Sequence, residues 1–182
     1  MLNIYHIESK NYVNGNGCRY VLWLQGCDLA CSGCWNQKTW SFKDNILKSI
    51  DELYNEIKNL ENNIDGVTFS GGEPFLQAKE LSLLAKLIKL NTTLDLQIFT
   101  GFEMDEIIND DQKRLLEYTD ILISGRYNTL KENNNQKVYH LNDNIENWKF
   151  NNSDIEVDID KNGNLMLSGY PTNNFINNIK EL

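Results

Sequence analysis

Tyr20-Val21-Leu22-Trp23-Leu24-Gln25-Gly26-Cys27-Asp28-Leu29-Ala30-Cys31-Ser32-Gly33-Cys34 is the stretch from which the rest of the chain is read. Its first half is a nearly unbroken apolar run, as expected of a strand buried on both faces. Its second half is a loop carrying Cys27-x-x-x-Cys31-x-x-Cys34. Three thiolates packed this closely can hold three irons of a [4Fe-4S] cube and leave the fourth without a protein ligand. An open iron suits a cluster that binds and reduces a substrate or cofactor directly, whereas four thiolates suit electron transfer. Two other readings compete. A structural zinc site wants four ligands, commonly as two close pairs, and no second CxxC is present. A disulfide framework needs a secreted, Cys-rich chain.

The 182 residues are expected to form one domain. With 41% hydrophobic residues the composition is globular. The N-terminus lacks a basic stretch leading into an apolar run, so no secretory signal is expected. No apolar run approaches the length of a membrane-spanning helix. These readings predict a cytoplasmic chain whose thiols stay reduced. A formal charge of -9, with Lys and Arg scattered, argues against a nucleic-acid partner and is read as solubility.

Outward from the cysteine loop the pattern alternates. Residues 2–8 and 19–25 read as strands around the turn Asn14-Gly15-Asn16-Gly17. Ile46, Leu47, Ile50, Leu53, Ile57 and Leu60 predict a helix from about Asp44 to about Glu61. Val67–Ser70 reads as a strand ending in Gly71-Gly72, followed by a helix carrying Leu81, Leu84, Ala85 and Ile88. Leu94–Thr100 predicts a strand, Met104 through Tyr118 a helix broken near Asp110-Asp111, and Ile121–Ser124 another strand. Such alternation indicates a parallel α/β sheet. Four such strands are too few for a closed eight-stranded barrel, so an open, partial (βα) barrel is expected. Lys131–Gln136 reads as a polar loop, and Ile155 to Leu167 as a β-hairpin. Asp158-x-Asp160-x-Asn162-Gly163 imitates a calcium loop, but Gly169 stands where a bidentate Glu is required, so it is read as the hairpin turn.

In parallel α/β folds functional groups collect at the carboxyl ends of strands. The cysteine loop follows one strand and Ser70-Gly71-Gly72-Glu73-Pro74 follows the next. Paired glycines allow close backbone approach to a ligand, and Glu73 supplies an anionic acceptor beside it. Together these elements resemble the radical S-adenosylmethionine (SAM) superfamily. Asn14 to Arg19, Leu22 to Cys27, Cys34-Trp35-Asn36, Thr39-Trp40, Phe99 to Phe102, Ile121 to Tyr127 and Asn135 to Val138 resemble one family within it, the anaerobic ribonucleoside-triphosphate reductase-activating proteins. The likeness spans roughly residues 4–140. It departs at Asn16, Cys18 and Ser124, and in the segment beyond residue 141.

The resemblance implies a single radical SAM domain over residues 1–182, with a core of about 19–127, an N-terminal hairpin and a C-terminal extension of about 141–182. It implies a [4Fe-4S] cluster on Cys27, Cys31 and Cys34, with SAM against Trp35, Asn36, Gly71, Gly72, Glu73, Thr100 and Gly101. Cleavage of SAM would yield a 5'-deoxyadenosyl radical, with no catalytic group beyond cluster and SAM, the chemistry being the cofactors' own. The expected function is to generate a glycyl radical on a reductase subunit, with a flavodoxin- or ferredoxin-like reductant and no membrane partner. The alternatives are a small-molecule radical SAM enzyme such as a 7-carboxy-7-deazaguanine synthase, an activase acting on another polypeptide, and an electron-transfer or cluster-sensing protein. Arg19 and Arg126 are read either as carboxylate partners at the site or as structural ion pairs. Cys18 is read as an ordinary small residue beside the site and not a ligand, His6 and His140 as structural or surface residues, and Trp40 and Trp148 as packing.

Anaerobic reconstitution should load about four irons per chain. Cys27→Ala, Cys31→Ala and Cys34→Ala should each abolish SAM cleavage, whereas Cys18→Ala should keep the cluster. A full, active cluster in Cys31→Ala, by iron assay and product analysis, would refute the ligand set.

Overall fold

The computed structural model describes residues 1–128, 135–142, 155–159 and 165–169. Seven strands form one sheet in the order β3-β1-β2-β4-β5-β6-β7. The strands are β1 (Leu2–Asn11), β2 (Arg19–Leu24), β3 (Ile46–Lys48), β4 (Gly66–Gly71), β5 (Asp95–Thr100), β6 (Ile121–Ser124) and β7 (Lys137–His140). The central four, β2, β4, β5 and β6, are parallel, and β1, β3 and β7 join antiparallel. The helices α1 (Ile50–Leu60), α2 (Ala78–Asn91) and α3 (Asp110–Glu117) precede β4, β5 and β6. A separate antiparallel pair is β8 (Ile155–Ile159) with β9 (Leu165–Gly169). The fold is therefore mixed α/β around a mostly parallel sheet. None of the described helices is long and apolar enough to cross a membrane.

The two faces of the sheet differ. Leu22, Phe69, Ile98 and Leu122 pack with Leu53, Ile57, Leu81, Leu84, Ile88 and Leu115 of the helices. The opposite face carries a smaller cluster of Ile121, Ile123, Phe99 and Val138 and a row of buried polar groups, Arg19, Thr68 and Gln97. That polar row has a cause in the loop before β2. The carbonyl of Asn14 accepts from Thr68 Oγ1 (2.8 Å) and Gln97 Nε2 (3.1 Å).

Arg19 is the clamp of this base. Its side chain is fully buried. It donates to Thr68 Oγ1 (2.7 Å), to the carbonyls of Val67 (2.8 Å) and Asn16 (3.1 Å), and to Asp95 across the sheet. A Cβ on Gly15 or Gly66 would lie 2.4 or 2.6 Å from this side chain, so both positions need glycine. Arg19 thus opens β2 and forms a structural ion pair at the end remote from the cysteine loop, and does not reach the site.

Three elements differ from the sequence reading. The predicted helix from Asp44 begins only at Ile50, because Ser49 caps it in a reciprocal box with Glu52. Ile46 and Leu47 share the helical spacing but form β3 against Leu2–Ile4. The predicted helix 104–118 is a short 3-10 turn (Met104–Glu106) and α3, separated where Asn109 caps Gln112, just before the expected break. β7 follows the expected polar loop and pairs with β6. The hairpin expected at 155–167 is present as β8 and β9. Trp148, the hairpin turn with the calcium-loop imitation, most of the 131–136 loop and the tail lie outside the described residues.

Removing Arg19 would leave the partly exposed Asp95 and the buried acceptors of Val67 and Thr68 without their donor, a change expected to cost about 1–3 kcal/mol. Arg19→Leu should therefore lower the urea midpoint without altering the slope. A loss of less than about 1 kcal/mol would show that the clamp is not needed.

Candidate functional site

Four chain segments meet at the carboxyl ends of the parallel strands. β2 runs into Gln25 and Gly26, the latter at φ 101°. The cysteine loop that follows is closed at its base by backbone bonds from Gly26 N to Thr39 O (2.7 Å) and Cys27 N to Trp40 O (3.3 Å). Thr39 and Trp40 thus return the chain to β2. Within the loop Cys34 N donates to Cys31 O (3.2 Å), with Ala30 and Gly33 at positive φ.

The end of β4 is fastened to that loop. Gly72 N donates to Leu24 O (2.8 Å) and Glu73 N to Gly26 O (2.9 Å). A Cβ on Gly72 would stand 2.3 Å from the Gly26 carbonyl oxygen, and one on Gly71 2.4 Å from the Leu24 nitrogen. The glycines are thus required by chain-to-chain contact, a reason the sequence reading did not contain. Glu73 is also tied inward. Its carboxylate accepts from Phe75 N (2.9 Å), Thr100 Oγ1 (2.7 Å) and Gly101 N (2.8 Å), joining the ends of β4 and β5. Burial raises its pKa to about 7 despite these donors.

These ends enclose a cavity of about 360 Å³. Cys27, Cys31 and Cys34 line it, as do Trp35, Asn36, Gly71, Gly72, Glu73, Thr100 and Gly101. Every residue expected from the sequence to hold the cluster or SAM therefore borders one cavity. Trp23, Ser70 and Phe99 also face it. The thiols share this wall without converging as a ready-made cage. Among the described residues no three His, Cys, Asp or Glu side chains do so. Burial, with smaller contributions from Glu73 and the other two sulfurs, pushes the Cys27 thiol up to about 11. Thiolate ligation there requires a cation to displace the proton. Three soft donors on one wall are the donor set of an iron–sulfur centre with an open iron, so the residues fit that group.

Some neighbours escaped the sequence reading. The Trp35 indole donates to the Tyr127 hydroxyl (2.6 Å), linking the cysteine loop to the exit of β6. Both side chains line the cavity. A tyrosine two residues beyond a strand-end glycine was the available signal. Asn14, Gln136, Ser168 and Gly169 line it as well. Arg126 does not. It is held by Glu106 (2.8 and 3.0 Å) and by the Gly101 carbonyl, and its guanidinium lies 5.4 Å from the Phe102 ring centre. Asn135 donates to the Arg126 carbonyl (3.2 Å). Cys18, expected beside the site, instead precedes β2 at the end of that strand remote from the other cysteines, where its N–H donates to Asp65 (2.7 Å).

Comparison with known proteins gives the arrangement a context. The model of the family described as "4Fe-4S single cluster domain" matches residues 13–146. The anaerobic ribonucleoside-triphosphate reductase-activating protein of Haemophilus influenzae is 31% identical over 132 residues, covering 69% of this chain and 84% of that protein. The protein of the same name from Enterobacteria phage T4 is 31% identical over 151 residues, 81% of this chain and 94% of that one. The pyruvate formate-lyase-activating enzyme of Listeria monocytogenes is 32% identical over 127 residues, 66% of this chain and 51% of that enzyme.

Because the fold holds the Glu73 pKa above its ordinary value, the protonated carboxyl stabilises the metal-free protein. That contribution is complete below about pH 4.5 and is lost as pH rises through about 7. Glu73→Gln should remove this limb. The difference in unfolding free energy between the variant and the parent should therefore drift by several kcal/mol between pH 4.5 and 7.5. Parallel pH profiles would contradict a buried carboxyl.

Proposed function

We propose a function for a chain that belongs to the 4Fe-4S single cluster domain family and to the anaerobic ribonucleoside-triphosphate reductase-activating proteins: it is a radical SAM enzyme that installs a glycyl radical on a partner reductase. What supports the reading is the meeting of three cysteines, the Gly71-Gly72-Glu73 turn and Thr100-Gly101 on one cavity at the carboxyl ends of β2, β4 and β5. Cys27, Cys31 and Cys34 would hold the cluster. Bound together, cluster and SAM would supply hydrogen-abstracting radical chemistry at this cavity.

The remaining work belongs to the chain itself. Gly71 and Gly72 hold their backbone against the cysteine loop, so that cofactor-binding turn and metal-binding loop keep one geometry. Glu73 fixes the Thr100-Gly101 turn that borders the same space. Trp35 and Asn36 form the wall that continues from the last cysteine, with Tyr127 holding the Trp35 ring. The apolar share of the lining, Trp23, Leu29, Trp40 and Phe99, excludes water from a reactive intermediate. The sheet acts as an open partial barrel whose mouth admits the partner's loop, and a flavodoxin- or ferredoxin-like protein delivers the electron.

Anaerobic incubation with SAM, a low-potential reductant and the cognate reductase should give a glycyl-radical doublet by electron paramagnetic resonance. SAM cleavage with no radical on any glycyl-radical enzyme of the same organism would end the activase reading and leave a small molecule or another polypeptide as the target.

A further inference from the structure

The cysteine loop starts from β2, but two of its side chains land further along the sheet, whose central order is β2-β4-β5-β6. Leu29 rests on the end of β5, where a Cβ on Gly101 would stand 2.3 Å from Leu29 Cδ1. Trp35, directly after the last cysteine, donates its indole N–H to the Tyr127 hydroxyl (2.6 Å), beyond the end of β6 at Ser124. From β2 to β6 is three strand spacings, about 14 Å. The loop therefore spans the ends of β4 and β5, and the Gly71–Glu73 and Thr100–Gly101 turns that border the cavity lie between its two footings.

The backbone that carries Tyr127 is braced. Gly125 N donates to Thr100 O (3.1 Å), and Asn135 Nδ2 donates to Arg126 O (3.2 Å). A Cβ on Gly125, at φ 122°, would come within 2.9 Å of Asn135 O. The Arg126 guanidinium is held by Glu106 and by the carbonyl of Gly101, the residue whose N–H Glu73 accepts. The anchor hydroxyl thus stands on the same framework as the Thr100–Gly101 turn. Trp35, in contrast, is 44% exposed, so the bond to Tyr127 supplies a restraint that packing does not. Cys31, Cys34, Trp35 and Asn36 border the cavity from the loop, and the two turns border it from the strand ends. Where the loop lands therefore sets the width between these two walls.

We propose that Tyr127 is a positioning residue of the cofactor cavity: through the Trp35 indole it anchors the far side of the cysteine loop and so sets how tightly SAM is held. The inference rests on the radical SAM part of the reading above and not on the identity of the partner. The hydroxyl carries the role, because the ring alone offers the indole no oxygen acceptor. Tyr127 acts through the loop rather than on the reacting atoms. A loosened loop weakens the cofactor's ground state and transition state alike, so half-saturation moves while the maximal rate does not.

The test uses Tyr127→Phe, which deletes one oxygen and keeps the ring, with Trp35→Phe and the double variant, all as the full chain. In metal-free protein labelled with nitrogen-15 at tryptophan, the indole signal missing from Trp35→Phe should shift in Tyr127→Phe, and its hydrogen should exchange faster. In reconstituted protein with SAM and dithionite, the SAM concentration for half-maximal 5'-deoxyadenosine formation should rise about fivefold in Tyr127→Phe, the equivalent of one hydrogen bond. The maximal rate should stay within about twofold of the parent. The double variant should be no weaker than Trp35→Phe alone, since both lose the same bond. An unmoved indole signal, unmoved half-saturation or additive losses would each overturn the proposal. So would a fall in maximal rate alone, which would place Tyr127 in the reaction itself. SAM cleavage without a glycyl radical on any reductase fails the activase reading only, and the shifted half-saturation then still supports this one. A parent protein that cleaves no SAM fails the radical SAM reading and takes this proposal with it.

Discussion

Between Leu24–Gly26 and Gly71–Glu73 two backbones meet with no side chain between them, and the whole site depends on that contact. It is closed by two hydrogen bonds, at 2.8 and 2.9 Å, and it excludes even a Cβ at Gly71 or Gly72. Because parallel β2 and β4 run in register from Arg19↔Gly66 to Leu24↔Gly71, the contact continues the ladder past the end of both strands. The cysteine loop therefore starts from a fixed point. Glu73 carries the constraint one strand further, since its carboxylate fastens Thr100 and Gly101 at the end of β5. Three successive strand ends are locked to each other before any cofactor binds. That is pre-organisation of the kind that cofactor chemistry asks of a protein.

The opposite end of the same strands explains how one face of the sheet remains free for a cavity. The described helices pack on the face of Leu22, Phe69 and Ile98. The other face is closed at its base by the Asn14–Gly17 turn, which Arg19 binds through Asn16 and which reaches Thr68 and Gln97 through Asn14. Burying a guanidinium there is costly unless it is fully paired, and Arg19 finds four partners. A polar base and a cavity lined by Trp23 and Phe99 above it thus follow from residues alternating along β2, β4 and β5.

Much of this was legible because the signals are local. Three cysteines, a Gly-Gly-Glu turn and a Thr-Gly turn each follow an apolar run, and strand ends on one side of a parallel sheet must be neighbours. What was not legible depends on tertiary contact. Ile46 and Leu47 fit helical periodicity, and only the Ser49–Glu52 capping box and the edge of β1 make them a strand. Arg19 looked like a candidate for a ligand carboxylate because its burial against Asp95, 76 positions away, leaves no local trace. The Trp35–Tyr127 bond spans 92 positions and Asn11–Ser168 spans 157. The glycines were expected for a ligand's sake, and the neighbouring chain turns out to demand them.

The proposed function requires the glycine of a protein partner to reach the cavity shared by the three cysteines and the Gly71–Glu73 turn. Isotope transfer tests it most directly. A cognate reductase carrying α-deuterated glycine is turned over anaerobically with unlabelled SAM, and the 5'-deoxyadenosine formed is analysed by mass spectrometry. One deuterium is expected in that product, moved from the glycine Cα to the 5' carbon. Product that carries no deuterium, while radical forms on the reductase, would contradict it.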